Sequence, residues 1–170
     1  MPEIWNIYTK NRELTLKKHA RGIPLQEGDY HLVVEVWILR SSGRLLVTKR
    51  HPDKPFPNMW ECTGGSAIEE EDSASAAIRE VEEEIGVHLE ASDGKMIHQY
   101  TSEDSHYDVW LFRKDIPLED LVFQEREVID AKYVTPQELR ILLERGEMIP
   151  KLCYILSLIE TGVVSAGMLT

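Results

Sequence analysis

The sequence predicts an α/β fold in which a layered sheet is covered by helices. Two observations carry that class. Apolar and alternating runs of strand length recur between Ile4 and Val134. A capped, amphipathic helix interrupts them between Asp72 and Gly86, and two more helical stretches follow the last strand. Strands and helices mixed in this order bury one another's apolar faces as stacked layers.

The elements follow in chain order. Ile4–Tyr8 and Leu14–Lys18 flank a polar Thr-Lys-Asn-Arg turn and predict a small hairpin. A loop with Gly22, Pro24 and Gly28 leads to a strong strand at His31–Leu39. Ser41-Ser42-Gly43 turns the chain into a second strand at Arg44–Lys49. The three prolines between His51 and Asn58 predict an ordered loop. Trp60–Thr63 reads as a short strand running into a Gly64-Gly65 turn. Lys95–Thr101 and Tyr107–Phe112 predict another strand pair, and Ala131–Val134 a last short strand. Thr135, Pro136 and Glu138 form a capping box with proline in the first turn, so a helix runs over roughly Pro136–Glu144. A final apolar helix is expected from about Pro150 to Glu160, packed on the core. Trp60 and Phe56 are expected to fill the core rather than stack on a ligand.

Composition narrows the function. The 170 residues are 42% hydrophobic and 29% charged, which fits one globular domain over 1–170. The net charge is −11, from 19 basic and 30 acidic residues. That balance opposes nonspecific binding to nucleic acid or to anionic membranes. A polyanionic small substrate remains compatible with it where metal ions bridge the charges. The N-terminus lacks a signal-peptide pattern, and no apolar run is long enough to span a bilayer. Cys62 and Cys153 give no disulfide framework, so the expected compartment is the reducing cytoplasm.

The run from Gly65 to Val87, GSAIEEEDSASAAIREVEEEIGV, concentrates the chemistry. Asp72 or Ser73 can cap its helix, and Gly86 can end it in the left-handed conformation. Ala74, Ala77, Ile78, Val81 and Ile85 fall on one stripe at about 100° per residue. Glu80, Glu83 and Glu84 gather on another side at spacings of three and four, where like charges repel. Most glutamate runs are solvated faces. Carboxylates collected on one short face are also what a hard divalent cation binds.

With all its fixed positions filled, this run is identified as the signature of the Nudix hydrolase family. The resemblance implies an α/β/α sandwich around a mixed central sheet. It also implies a divalent-metal-dependent hydrolase, using Mg2+ or Mn2+, that splits a diphosphate bridge by water attack on phosphorus. The substrate class implied is a nucleoside diphosphate linked to another moiety. In such chemistry the metal takes up charge from the phosphoryl oxygens and makes the attacking water more acidic. Carried over, the metal ligands are Glu80, Glu83 and Glu84, with the carbonyl of Gly64 as the fourth. Arg79 and Glu71 resemble the family's internal ion pair, which orients the helix. The general base is either Glu127, in a loop before the last strand and with Glu125 as its fallback, or Glu80. The residues leave the oligomeric state open; family members are often dimers, so a homodimer is one possible assembly, to which the apolar N-terminal strands could contribute.

A wider resemblance runs through Tyr30–Trp60, which looks like the isopentenyl-diphosphate isomerase branch of the same superfamily. It places Arg50 and Lys54 where that branch binds diphosphate. The isomerase needs a cysteine immediately before the box glycine and a histidine immediately after it. Here those positions hold Gly64 and Ser66, and Cys62 lies two residues too early. His31 matches one metal histidine of that branch, while the second position holds Pro24. The isomerase likeness therefore reads as shared scaffold. A noncatalytic nucleotide-binding module is the third alternative, and the intact signature argues against it.

Overall fold

A computed structural model describes residues 1–165 of the chain. The described residues form nine strands and three α-helices. Strands β1 (Ile4–Tyr8) and β2 (Leu14–Ala20) form the N-terminal hairpin. Arg12 in its turn ties the hairpin to the rest of the molecule. Its guanidinium meets Asp108 at 2.7 Å and donates to the carbonyls of Tyr100 and Tyr107.

The main sheet contains β3 (His31–Leu39), β4 (Leu45–Arg50), β5 (Trp60–Glu61), β6 (Thr63–Ser66), β7 (Gly94–Ser102), β8 (Ser105–Arg113) and β9 (Val128–Val134). Its central path runs β5-β4-β3-β8-β7, with β6 on β3 and β9 on β4. The β3–β8 pair is parallel and the other pairs are antiparallel, so the sheet is mixed. The sheet also forks. Strand β3 meets β4 only at Leu39–Leu45, and β6 then takes the same edge from Val36 to Val33. Beyond the fork, β4 pairs with β5 and β9. The fork opens at one end of the molecule, and the candidate site lies there.

Alternation along β3 sends side chains to two cores. Leu32, Val34, Val36 and Ile38 pack with Ala76, Ala77, Val81 and Ile85 of helix α1 (Ser73–Ile85). Trp37 and Leu39 face the other way. They pack with Leu139 and Leu142 of α2 (Pro136–Glu144) and Ile155 of α3 (Tyr154–Glu160). Helices on both faces of a mixed sheet make the α/β/α sandwich. Each fully buried aliphatic side chain here contributes about 1.5–3 kcal/mol.

Helix α1 starts where the chain offers a cap. The Asp72 carboxylate accepts from the Ser75 amide at 2.8 Å, while the Ser75 hydroxyl closes the reciprocal bond to the Asp72 amide. Gly86 ends the helix at φ 70, and its N–H donates to the Glu82 carbonyl. Asp72→Ala is expected to lower stability by about 1 kcal/mol. Urea unfolding reads that as a shifted midpoint with an unchanged slope.

Two elements differ from the sequence reading. Gly64 and Gly65 are not a turn. They belong to β6 and pair with Glu35 and Val34 across the ladder. The glycines are used for close approach, since a Cβ on Gly64 would lie 2.2 Å from the Val34 carbonyl oxygen. The expected C-terminal helix is broken into a 3-10 turn, Pro150–Cys153, and α3. Proline at the start of that turn has no N–H to give, and tertiary contacts select the tighter turn.

Candidate active site

Helix α1 lies under the β6 glycines, and this contact sets the carboxylates. The sequence reading put Glu80, Glu83 and Glu84 together on a side away from the apolar stripe. In the fold Glu80 and Glu84 are buried beside the stripe, and Glu83 is exposed. Room for Glu80 comes from Gly65, where a Cβ would sit 2.5 Å from the Glu80 carboxylate carbon. The Gly64 amide donates to Glu84 Oε2 at 3.4 Å, which brings that glycine to the carboxylates.

Burial pushes both buried acids up. Glu80 is raised by desolvation and by the Glu83 charge, with Arg79 working against the shift. Glu84 is raised well above the carboxylate range by desolvation, and the charges of Glu61 and Glu80 add to it. Burial and mutual repulsion oppose two negative charges side by side here, and Arg79 at Glu80 and Lys54 at Glu84 offset only part of that cost. A divalent cation would reverse the balance, and oxygen donors are what it takes. The donor set therefore fits a hard metal ion. Among the described residues no three acidic, imidazole or thiol groups already converge as a cage.

Arginine occupies part of that role. Arg79 Nη1 lies 2.9 Å from Glu80 and 3.0 Å from Glu83. Its Nε and Nη2 hold Glu71, and Nη2 also donates to the Ser66 carbonyl at 3.0 Å. The Arg79–Glu71 pair thus fastens α1 to the end of β6. A cation entering between Glu80 and Glu83 has only Nη1 to displace.

The remaining predicted residues sit around the fork. Arg50 donates from Nε to the Pro55 carbonyl at 2.7 Å and from Nη1 to Glu61 at 2.8 Å. It shapes the proline loop while facing a cavity of about 540 Å3. The Lys54 ammonium is paired with the Glu127 carboxylate, and the two arrive from loops 73 residues apart. Both predicted phosphate-binding cations are therefore neutralised by carboxylates. Glu125 makes no such approach and is exposed.

Several expectations are corrected or completed. Phe56 is not core. Its ring is exposed, its φ is 54, and it lines the cavity. Trp60 is core, with the ammonium groups of Lys132 and Lys49 over its ring at 4.3 and 5.6 Å. His31 stacks on Trp5 at 4.1 Å and shares a 2.8 Å hydrogen bond with the Ser105 hydroxyl. Both contacts seat it in the packing of the N-terminal hairpin against the sheet. The sequence reading missed Glu61, which pairs with Arg50 and whose charge acts on the Glu84 carboxylate. It also missed Glu35, a buried acid on β3 that lines the cavity. The signal for Glu35 was available as a single charge inside the apolar run VVEVWIL.

The carboxylate-bearing helix beneath a glycine strand belongs to a hydrolase acting on phosphoric anhydrides, the class its relatives share. Residues 29–152 match the NUDIX domain, and the chain belongs to the Nudix family. It is 43% identical over 150 residues to an uncharacterized Nudix hydrolase of Listeria monocytogenes, covering 87% of this chain and 89% of that protein. It is 33% identical over 165 residues to Nudix hydrolase 3 of Arabidopsis thaliana, covering 85% of this chain and 21% of that protein. Among solved structures, a Deinococcus radiodurans protein superimposes with a TM-score of 0.75 at 22% identity, covering 94% of this chain and 98% of that one. A bifunctional NMN adenylyltransferase/ADP ribose pyrophosphatase from Francisella tularensis, complexed with AMP and a Mn ion, has a TM-score of 0.63 at 18% identity. That match covers 82% of this chain and 43% of that one. No helix among the described residues is long and apolar enough to cross a membrane.

Proposed function

We propose that the chain is a divalent-metal-dependent hydrolase of the diphosphate bridge in a nucleoside diphosphate linked to another moiety, with water attacking phosphorus. The observation that carries the reading is the burial of Glu80 and Glu84 under the Gly64-Gly65 strand, beside a cavity wide enough for a nucleotide. Mg2+ or Mn2+ would be held by Glu80, Glu83, Glu84 and the Gly64 carbonyl, and would supply charge neutralisation and a more acidic water. Arg50 and Lys54 bind the phosphates once the substrate competes with Glu61 and Glu127 for them. Freed from Lys54, Glu127 accepts the water's proton, with Glu80 as the other candidate base. The chain acts as one domain in the cytoplasm.

A substrate panel tests the reading. Nucleoside di- and triphosphates, nucleotide sugars, ADP-ribose, dinucleoside polyphosphates, coenzyme A and isopentenyl diphosphate are incubated with Mg2+, and products are separated by chromatography. Release of a nucleoside monophosphate that disappears with Glu83→Gln is expected. Isomerisation of isopentenyl diphosphate, or no turnover of any phosphate, sinks the proposal.

Metal affinity should also depend on pH in a stated direction. Glu80 and Glu84 must shed protons that burial makes them hold, so affinity rises as pH climbs above the ordinary carboxylate range. Titration of Mn2+ at several pH values measures it. An affinity independent of pH from mildly acidic to neutral conditions rules these two acids out as the ligands.

A further inference from the structure

The same cavity has a second polar end that diphosphate chemistry does not use. Glu35 lies on the face of β3 opposite α1, one position from the Val34 that packs on that helix. Its Oε1 accepts from the Tyr100 hydroxyl and from the Tyr154 hydroxyl at 3.4 Å. Tyr154 is itself fixed by the Trp37 indole at 3.1 Å. Among the described residues, the partner of Oε2 is the Lys151 ammonium, at 3.5 Å. That ammonium also sits 4.2 Å over the Tyr107 ring, and Tyr107 is stacked on Tyr100 at 4.5 Å and 2°. Desolvation raises the Glu35 carboxyl, against the pull of Lys151.

A buried carboxylate paired with a half-exposed ammonium is a poor stabiliser, because desolvation of the acid offsets an attraction that solvent screens. Its placement on a cavity wall gives it another use. One carboxylate oxygen is committed to phenols and rigidly aimed, while the other is short of donors. Next to it an ammonium has hydrogens to spare. Together they present an acceptor and a donor side by side. Phe56, Ile149, Pro150 and Leu152 form an apolar part of the cavity wall, and Ser102 and Glu103 a polar part. A sugar, with hydroxyls on most carbons, would leave several of them against the apolar part. A nucleobase has two apolar faces and a polar edge on which a donor adjoins an acceptor.

We propose that Glu35 and Lys151 form the subsite for the polar edge of a nucleobase, with Phe56 and the Ile149–Pro150 wall against its faces. The proposal rests on the nucleotide reading above and names the residues that recognise the nucleoside end. Phosphates then lie toward Arg50 and the carboxylates of α1, and the base lies on the other face of β3, where Glu35 is the ladder partner of Gly64. The Phe56 ring is free to stack because its left-handed backbone lifts it out of the core.

Glu35→Gln is a sharp probe of this geometry. The two phenol hydroxyls need an acceptor, so the amide oxygen takes the place of Oε1. The amide NH2 then replaces Oε2 and opposes both Lys151 and a base donor. The probes are AMP, GMP, CMP and UMP, with ribose 5-phosphate as the base-free control, titrated calorimetrically into the full chain with Mg2+. None of them requires hydrolysis, so this test stands apart from the substrate panel. In the wild type at least one mononucleotide should bind about tenfold or more tighter than ribose 5-phosphate. Glu35→Gln should erase that margin and leave ribose 5-phosphate affinity where it was. Lys151→Met, at a half-exposed position, should cut the margin in the same way and serves if Glu35→Gln fails to fold. Equal binding of all four mononucleotides and ribose 5-phosphate to the wild type overturns the subsite. So does a margin that survives in every folded variant.

Discussion

Glu84→Gln is expected to raise the melting temperature of the metal-free protein while lowering activity by more than about a hundredfold. The two effects share one cause. Glu84 is almost fully buried, its neighbours Glu61 and Glu80 carry the same charge, and its pKa is raised well above the usual range. The native state therefore holds this proton more tightly than the unfolded chain does. As pH rises from the ordinary carboxylate value through the raised one, the unfolded state releases its proton first and gains on the native state. Above that window the metal-free fold carries an unfavourable charge. Glutamine keeps the shape and the Gly64 amide contact but cannot ionise. Each kcal/mol relieved is worth about 2–4 °C for a chain of this size.

Metal reverses the order. An ion bound a hundredfold above its dissociation constant adds about 2.7 kcal/mol to the wild type. The variant lacks that ligand and should gain little. Thermal melts of both proteins with and without Mn2+ therefore cross over. A Glu84→Gln protein less stable than wild type without metal contradicts the charge argument. One that keeps the full metal-induced shift removes Glu84 from the ligand set.

Much of this was legible in the residues, and the reasons are local. Caps are short-range chemistry, so Asp72, Gly86, Thr135 and Glu138 marked helix ends that the structure keeps. Strong apolar runs such as His31–Leu39 marked strands. What escaped was set by distant partners. Gly64-Gly65 looks like a turn until β3 supplies a ladder. Glu80, Glu83 and Glu84 read as one acidic side opposite the apolar stripe until β6 closes over two of them, and α1 exposes only Glu83 of the three. Lys54 and Glu127 meet across 73 residues, which no local pattern encodes. Phe56 is the opposite case. Hydrophobicity argued for the core, but the proline loop holds the ring outside it.

Gly64→Ala and Gly65→Ala should fail in different ways, although the residues are neighbours on one strand. A Cβ at position 64 would meet the Val34 carbonyl oxygen at 2.2 Å and the Glu35 Cα at 3.2 Å. Both atoms are backbone of β3 and cannot step aside without opening the β3–β6 ladder. The expected cost is about 3 kcal/mol, or roughly 6–12 °C in Tm, with activity lost along with the fold. At position 65 the obstacle is the Glu80 carboxylate, the far end of a flexible side chain. Alanine there should leave Tm within a few degrees and swing Glu80 aside. A displacement on the order of 1 Å costs about a hundredfold in rate, and it should appear in kcat with weakened metal affinity. Full activity in Gly65→Ala would mean that Glu80 works without being seated against the strand, and the tie between the diglycine and the carboxylates would fall.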